Sequence, residues 1–255
     1  MKTIRLSLTT EETVPIEAER ISPDQMAGLE LDQIKCLEAW LGNRRITLDA
    51  LFSIQVEGEA QGPESTTIVL EGDFSRVKRV GERMTAGSVI AKGNLGMHAG
   101  NNMIGGDIHI MGDAGHWLGR EMRGGKIVVD GDAGNYVGAG YRGERCGMRG
   151  GDIVIAGSAG AFLGEHLCGG SIRVEGNCGD FPGAANQGGS IFIGGSTHLP
   201  GAEMVKGSII VGGHAHMLPS FVRMEDVEME GERFVKFSGD LVENGKGEIL
   251  VAETV

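Results

Sequence analysis

The residues from Gly138 to Gly143 read GAGYRG, the GxGxxG spacing with which a glycine-rich turn brings backbone amides against a pyrophosphate. That chemistry also needs an amphipathic helix directly after the turn, and none follows, so the match implies no dinucleotide site. His198 and His216 stand nine residues after Gly189 and Gly207 and would stack in neighbouring repeats, but no third ligand accompanies them. The four cysteines, Cys36, Cys146, Cys168 and Cys178, show no CxxC spacing and read as small buried residues, excluding a zinc knuckle or iron–sulfur signature. There is no HExxH pair, no GxSxG elbow and none of the aspartates of a calcium-binding GGxGxD roll. The expectation is a chain with no catalytic, cofactor-binding or metal-binding residues of its own.

One constellation survives. The third full repeat runs seven residues long, and its stretch from Ala139 to Cys146 carries Tyr141, Arg142, Glu144 and Arg145. Insertions in repeat proteins land on loops and mark binding faces. With 23 Lys and Arg against 35 Asp and Glu, the formal net charge is −12, so an Arg-rich loop with a tyrosine stands out as a contact surface. Arg123 and Arg149 precede neighbouring repeats and extend the basic island. The acidic balance excludes nucleic acid and an anionic membrane as main partners. With no apolar run long enough to span a bilayer and no signal-type stretch, a cytoplasmic chain is expected.

The elements that position the loop follow from the repeat. Gly87, Gly106, Gly125, Gly151, Gly170, Gly189 and Gly207 recur at steps of 19, 19, 26, 19, 19 and 18. Two and four residues after each stand aliphatic columns, Val89, Ile108, Ile127, Ile153, Ile172, Ile191, Ile209 and Ala91, Ile110, Val129, Ile155, Val174, Ile193, Val211. Alternation along a strand points both columns inward. The file between them, Ile90, His109, Val128, Val154, Arg173, Phe192 and Ile210, is oddly apolar for a solvent face and hints at a covered one. Three residues before the glycines stands a column that is methionine (Met84, Met103, Met122, Met148, Met204) in all but two repeats, where Leu167 and Asn186 replace it, and it reads as interior filling; a glycine six residues on is followed by turn-formers from Asn94 to His214.

A period near 19 is too short for a helix pair and marks a solenoid whose units bury their apolar faces by stacking. The predicted fold is all-β, a right-handed parallel β-helix over residues 66–218. Residues 1–65 form a small α+β cap, with a helix starting at Ser22-Pro23-Asp24, a second helix or turn near Asp32 to Leu37, and short strands. Residues 219–255 form a β cap that protects the far end.

The run Gly131-Asp132-Ala133-Gly134-Asn135-Tyr136-Val137-Gly138, with Tyr141-Arg142-Gly143 and Gly147-Met148-Arg149-Gly150-Gly151, resembles the C subunit of formylmethanofuran dehydrogenase. So do Met84-Thr85-Ala86-Gly87, Lys236 to Leu241 and Gly245-Lys246-Gly247-Glu248, and the resemblance spans roughly residues 20 to 255. The homologous subunit of the bacterial formyltransferase/hydrolase complex is similar too, and more distantly the glycine-repeat domain of the glutamate synthase large chain. The resemblance implies a scaffold in a multi-subunit oxidoreductase that reduces carbon dioxide and fixes it as formylmethanofuran in methanogenesis. It implies molybdenum or tungsten pterin, iron–sulfur clusters and a dinuclear metal site in sister chains, which are a pterin-binding subunit and an amidohydrolase-like subunit, with none of these in this chain. Tyr141, Arg142, Arg145, Arg123 and Arg149 would then meet a sister subunit or the carboxylate-bearing tail of methanofuran. A spacer of the glutamate synthase kind and a carbohydrate-active β-helix are the alternatives from other classes.

Overall fold

The computed structural model describes residues 1–9, 13–229 and 231–253, so residues 230, 254 and 255 of the expected C-terminal cap lie outside the described residues. Among the described residues the chain is mostly strand, with thirteen strands in one large mixed sheet, four in a second and two in a third. The N-terminal segment gives β1 (Lys2–Leu8), the short β2 (Ile16–Glu17), α1 (Pro23–Met26), α2 (Leu31–Lys35), β3 (Glu38–Leu41), β4 (Arg44–Thr47) and β5 (Phe52–Glu57). Pro23 opens α1, where its missing N–H costs nothing. A reciprocal pair of hydrogen bonds between Glu30 and Gln33 starts α2. The buried Lys2 ammonium gathers the free carbonyls after α1, donating to Met26 (3.0 Å), Ala27 (2.9 Å) and Leu29. Burial pulls the Lys2 pKa below its ordinary value, against the pull of Glu30 and Glu59.

Next come β6 (Thr66–Glu71), β7 (Val77–Lys78), β8 (Ser88–Ala91), β9 (Asp107–Ile110), β10 (Lys126–Val129), β11 (Arg149–Ile155), β12 (Gly169–Val174) and β13 (Gln187–Ile193). The chain closes with β14 (Thr197–His198), β15 (Lys206–Val211), β16 (Ala215–His216), β17 (Val222–Met229), β18 (Glu232–Gly239) and β19 (Gly247–Ala252). From β6 to β15 each long strand pairs in parallel with its predecessor, and the register aligns the two aliphatic columns: Ile108 with Ile127, Ile127 with Ile153, Ile153 with Ile172. All members of both columns are buried. At one end β1 adds in parallel to β6 and in antiparallel to β5. At the other, β19 returns to lie parallel to β15, with Ile249 beside Ile209, and then pairs with β18. The edges of the ladder are thus covered by antiparallel ribbons.

Two further files run alongside the main ladder. Isolated parallel bridges link Phe74, Leu95, Ala114, Ala133, Ala159 and Cys178 in series. The predicted turn-formers do more than turn: each side chain accepts the backbone N–H one turn on. Asn94 takes that of Asp113 (2.8 Å), Asp113 that of Asp132 (2.9 Å), Asp132 that of Ser158 (2.7 Å), Ser158 that of Asn177 (3.2 Å) and Asn177 that of Ser196 (2.8 Å). A short acceptor at this position satisfies amides that the irregular corner would leave orphaned. Gly125 shows why the seam needs glycine: φ is +87°, and a Cβ would lie 2.6 Å from the carbonyl oxygen of Gly106.

The methionine column is fully buried, as its apolar character requires. Where Asn186 replaces methionine, its amide turns back on the next seam, accepting from Gly188 (2.9 Å) and Gly189 (3.1 Å) and donating to Gly189 O (3.2 Å). A buried amide so satisfied costs little.

Candidate functional site

The seven extra residues leave the stack undisturbed because they are looped out at their root. The Met148 N–H donates to the Gly138 carbonyl (2.8 Å), so the chain resumes its course as though the loop were absent. On either side of that closure Gly140 N–H donates to Glu165 O (3.1 Å) and Gly147 N–H to His166 O (2.8 Å), seating the loop on the following turn. A turn closed by Glu144 N–H on Tyr141 O (2.9 Å) puts Arg142 and Gly143 at its corner.

Tyr141, Arg142 and Arg145 are all exposed, Tyr141 to 47%. Tyr141 folds back over the preceding turn: its backbone N–H donates to Glu121 (3.2 Å), its ring packs tilted on Trp117 at 5.5 Å, and the Arg120 guanidinium lies 4.7 Å from its centre. Arg145 goes the other way, its carbonyl accepting from the Gln187 side chain (2.8 Å). Gln187 begins β13 and pairs with Lys206, just as Arg149 begins β11 and pairs with Gly169, so Arg145 shares this border with Arg149. Arg123 occupies the same place one turn earlier, and both Arg123 and Arg149 are exposed. The predicted group therefore divides, with Tyr141 at the aromatic side and the arginines Arg123, Arg145 and Arg149 along the seam. Among the described residues, no carboxylate lies within ion-pair distance of Arg123, Arg142, Arg145 or Arg149.

The reading of the cysteines needs correction. Cys146 and Cys168 form a disulfide with Cα atoms 5.5 Å apart, tying the end of the loop to the residue just before β12; Cys178 is buried and Cys36 exposed. Separation in sequence concealed the pairing, because the insertion is what carries Cys146 across to the next turn. Burial pushes the Cys178 thiol up to about 12.

A second feature escaped the sequence although its spacing was visible. His98, Trp117, Tyr136, Phe162 and Phe181 each stand eleven residues after a seam glycine, all with φ between 58° and 64°. Their rings stack one over the next, with centroids 6.2, 4.3, 5.2 and 5.4 Å apart. Left-handed backbone costs such residues energy, which the stacking and the inter-turn hydrogen bonds, such as Trp117 N–H to Asn135 O (2.9 Å), offset.

The rings of His198 and His216 stack at 4.8 Å, and His198 Nδ1 lies 3.4 Å from Asp180. His214, two residues before His216, adds an HxH spacing passed over in the sequence; its backbone N–H donates to Ser196 Oγ (3.0 Å). Among the described residues no group of three or more His, Cys, Asp or Glu is placed to hold a metal ion. Of the glycines in the GxGxxG match, Gly138 closes the root of the loop and Gly140 and Gly143 follow it, with no helix behind them. No helix is long and apolar enough to cross a membrane.

Fold and loop together define a mostly β chain whose long strands pair in parallel within a large mixed sheet and which carries one pinned, arginine-rich loop. No family model matches the sequence. It is 40% identical over 101 residues to the C subunit of the tungsten-containing formylmethanofuran dehydrogenase 2 of Methanothermobacter wolfeii, covering 39% of this chain and 37% of that one. It is 41% identical over 85 residues to the C subunit of the molybdenum-containing formylmethanofuran dehydrogenase 1 of Methanosarcina barkeri, covering 33% of this chain and 28% of that one. The matched segments thus span well under half the length of these relatives. Among solved structures, a chain of the formyltransferase/hydrolase complex (FhcABCD) from Methylorubrum extorquens, in complex with methylofuran, superimposes with a TM-score of 0.90 at 28% identity, over 98% of this chain and all of that one. The chain resembles the C subunit of formylmethanofuran dehydrogenase, as its motifs imply.

Proposed function

We propose that this chain is a non-catalytic scaffold subunit of formylmethanofuran dehydrogenase, folded as a right-handed parallel β-helix over residues 66–218 between caps at 1–65 and 219–255. The observation that carries the reading is the near-complete superposition on one chain of a multi-subunit complex, joined to the identity with the C subunits of the dehydrogenases. In-register parallel pairing along β6 to β15 is what stacked turns of one solenoid produce. The relatives are named for tungsten or molybdenum, and pterin, iron–sulfur clusters and a dinuclear site are assigned here to sister chains. A pterin-binding subunit and an amidohydrolase-like subunit are the partners in this reading, which places the assembly in the cytoplasm.

The contact surface is the loop, with Tyr141 as aromatic anchor, Arg142 and Arg145 free to grip carboxylates, and Arg123 and Arg149 beside them. The half-buried file from Ile90 through Val154 to Ile210 offers a second, apolar contact. A second reading, the C subunit of a formyltransferase/hydrolase complex, is favoured by the full-length structural likeness. Native mass spectrometry of the protein isolated from its source cells tests both. Co-purifying pterin-binding chains with tungsten or molybdenum support the dehydrogenase; a formyltransferase chain without either metal supports the second reading; a chain that runs alone sinks both.

A further inference from the structure

Between the aromatic column and a second left-handed column (Arg83, Asn102, Glu121, His166, Ala185, Glu203) runs a file with one residue from each turn: Glu82, Asn101, Arg120, Ala139, Glu165, Ala184 and Ala202. In the first three turns the chain fills this trench with its own polar groups. Arg79 donates twice to Glu82 (2.6 and 2.9 Å), Asn101 donates to Glu82 (3.2 Å), and Arg120 donates to Asn101 (2.6 Å). In the third turn, a guanidinium therefore lies between an aromatic face, Tyr141, and a carboxylate, Glu121 at 3.6 Å.

Three turns on, the same trench is empty. Its floor shrinks to Ala184 and Ala202 and leaves a pocket of about 270 Å³. One wall is aromatic, the rings of Phe162 and Phe181 stacked 5.4 Å apart. The other side presents Glu165, His166 and Glu203. Among the described residues neither carboxylate has a basic partner, and His166 Nδ1 is buried with no hydrogen bond.

From this internal symmetry we propose that the pocket binds a guanidinium or ammonium group, its face against Phe162 and Phe181 and its N–H bonds to Glu165 and Glu203. The chemistry matches what the chain builds around Arg120, with the cation supplied from outside. Burial raises the Glu165 carboxyl above its ordinary range, His166 opposing and Glu203 adding to it, the environment in which an incoming cation gains most. The inference stands on the pocket alone and does not depend on the proposed scaffold role.

Methylguanidinium, with methylurea as its neutral counterpart, is the probe, read by NMR on the full chain carrying ¹³C-labelled alanine methyls. Expected are saturable shifts of the Ala184 and Ala202 methyls with methylguanidinium only, the affinity falling at least tenfold in Glu165→Gln/Glu203→Gln. Equal shifts with methylurea, or undiminished affinity in the double variant, overturn the proposal. The Ala99 and Ala114 methyls report whether that variant folds, and Glu203→Gln alone replaces it if it does not, with at least a threefold loss expected and undiminished affinity overturning the proposal. Repeating the titration on the assembly from source cells separates the sources of the cation. Methyls already at their bound positions and silent to the probe identify a neighbouring chain's arginine or lysine, whereas methyls that titrate identify a free cation.

Discussion

Ile127 pairs with Ile153 across a 26-residue step in the same register in which it pairs with Ile108 across a 19-residue one. The loop is closed by Gly138 and Met148, so the aliphatic column passes the insertion without a slip, and both isoleucines are fully buried. A charge placed in that column has no partner and no route to water. Ile153→Asp is expected to destabilise the chain by on the order of 4 kcal/mol or more, a large share of an ordinary stability of about 5–15 kcal/mol. Urea unfolding followed by circular dichroism is the check, and a variant within about 1 kcal/mol of the parent would mean that the column is not the core.

This column, with its seam glycines, was legible because stacking forces identical positions onto identical surroundings. The methionine column was read correctly for the same reason, and so was the helix start at Pro23. Side-chain ladders were harder. That Asn94, Asp113 and Asp132 punctuate turns is visible in their types, whereas their acceptance of the next turn's amide depends on how closely the turns approach. The disulfide was misread because no spacing rule connects an inserted cysteine to a regular one. The pocket above Ala184 and Ala202 was hidden for a different reason: a cavity is made by residues that are small, and alanine carries no motif.

His98 stacks on Trp117 at the end of the aromatic column, and its imidazole is depressed to about 4, first by burial and then by the charges of Arg120, Arg79 and Lys78, with Glu17 opposing. The unfolded chain takes up this proton near the ordinary value of 6.5 while the folded one does not. The stability that depends on a neutral His98 is therefore complete above about pH 6.5 and is lost as the pH falls toward 4. His98→Phe keeps the stack and removes this proton. Between pH 6.5 and 4 the urea midpoint should fall less steeply in the variant than in the parent, and the His98 ring should titrate near 4 by NMR. A midpoint near 6.5 would show that the ring is not held neutral.

Cys146 and Cys168 are 22 residues apart, and a bridge of that size restrains the unfolded chain by up to about 3 kcal/mol. Reduction should lower the melting temperature and speed amide exchange in the loop, while the amides of β10 and β11 keep their protection because their ladder bonds are untouched. Cys146→Ser should behave as the reduced chain does. In a reducing compartment the loop would be freed on its border side and still held by the bonds of Gly140 and Gly147 to the next turn. Identical melting curves with and without a phosphine reductant, in a sample whose mass shows the bridge intact beforehand, would refute a stabilising role.

Arg142 and Arg145 lie exposed on a loop fastened at both ends, with no acidic partner in reach among the described residues. Neither side chain supports the stack, because Gly138 and Met148 close the turn beneath them. Changing both to alanine should alter stability by only about 0.5 kcal/mol, the usual effect of a surface substitution. Binding is different: two guanidinium groups held out on a strongly acidic chain are costly to leave unpaired at an interface, and each one that grips a carboxylate can carry about 2 kcal/mol. If the loop meets a sister subunit, the double variant should co-purify with it tenfold less or worse under the salt conditions that hold the parent assembly together. If the loop instead grips the tail of methanofuran, assembly should be intact and the KM for the coenzyme should rise. Intact assembly with an unchanged KM would remove the loop from both roles.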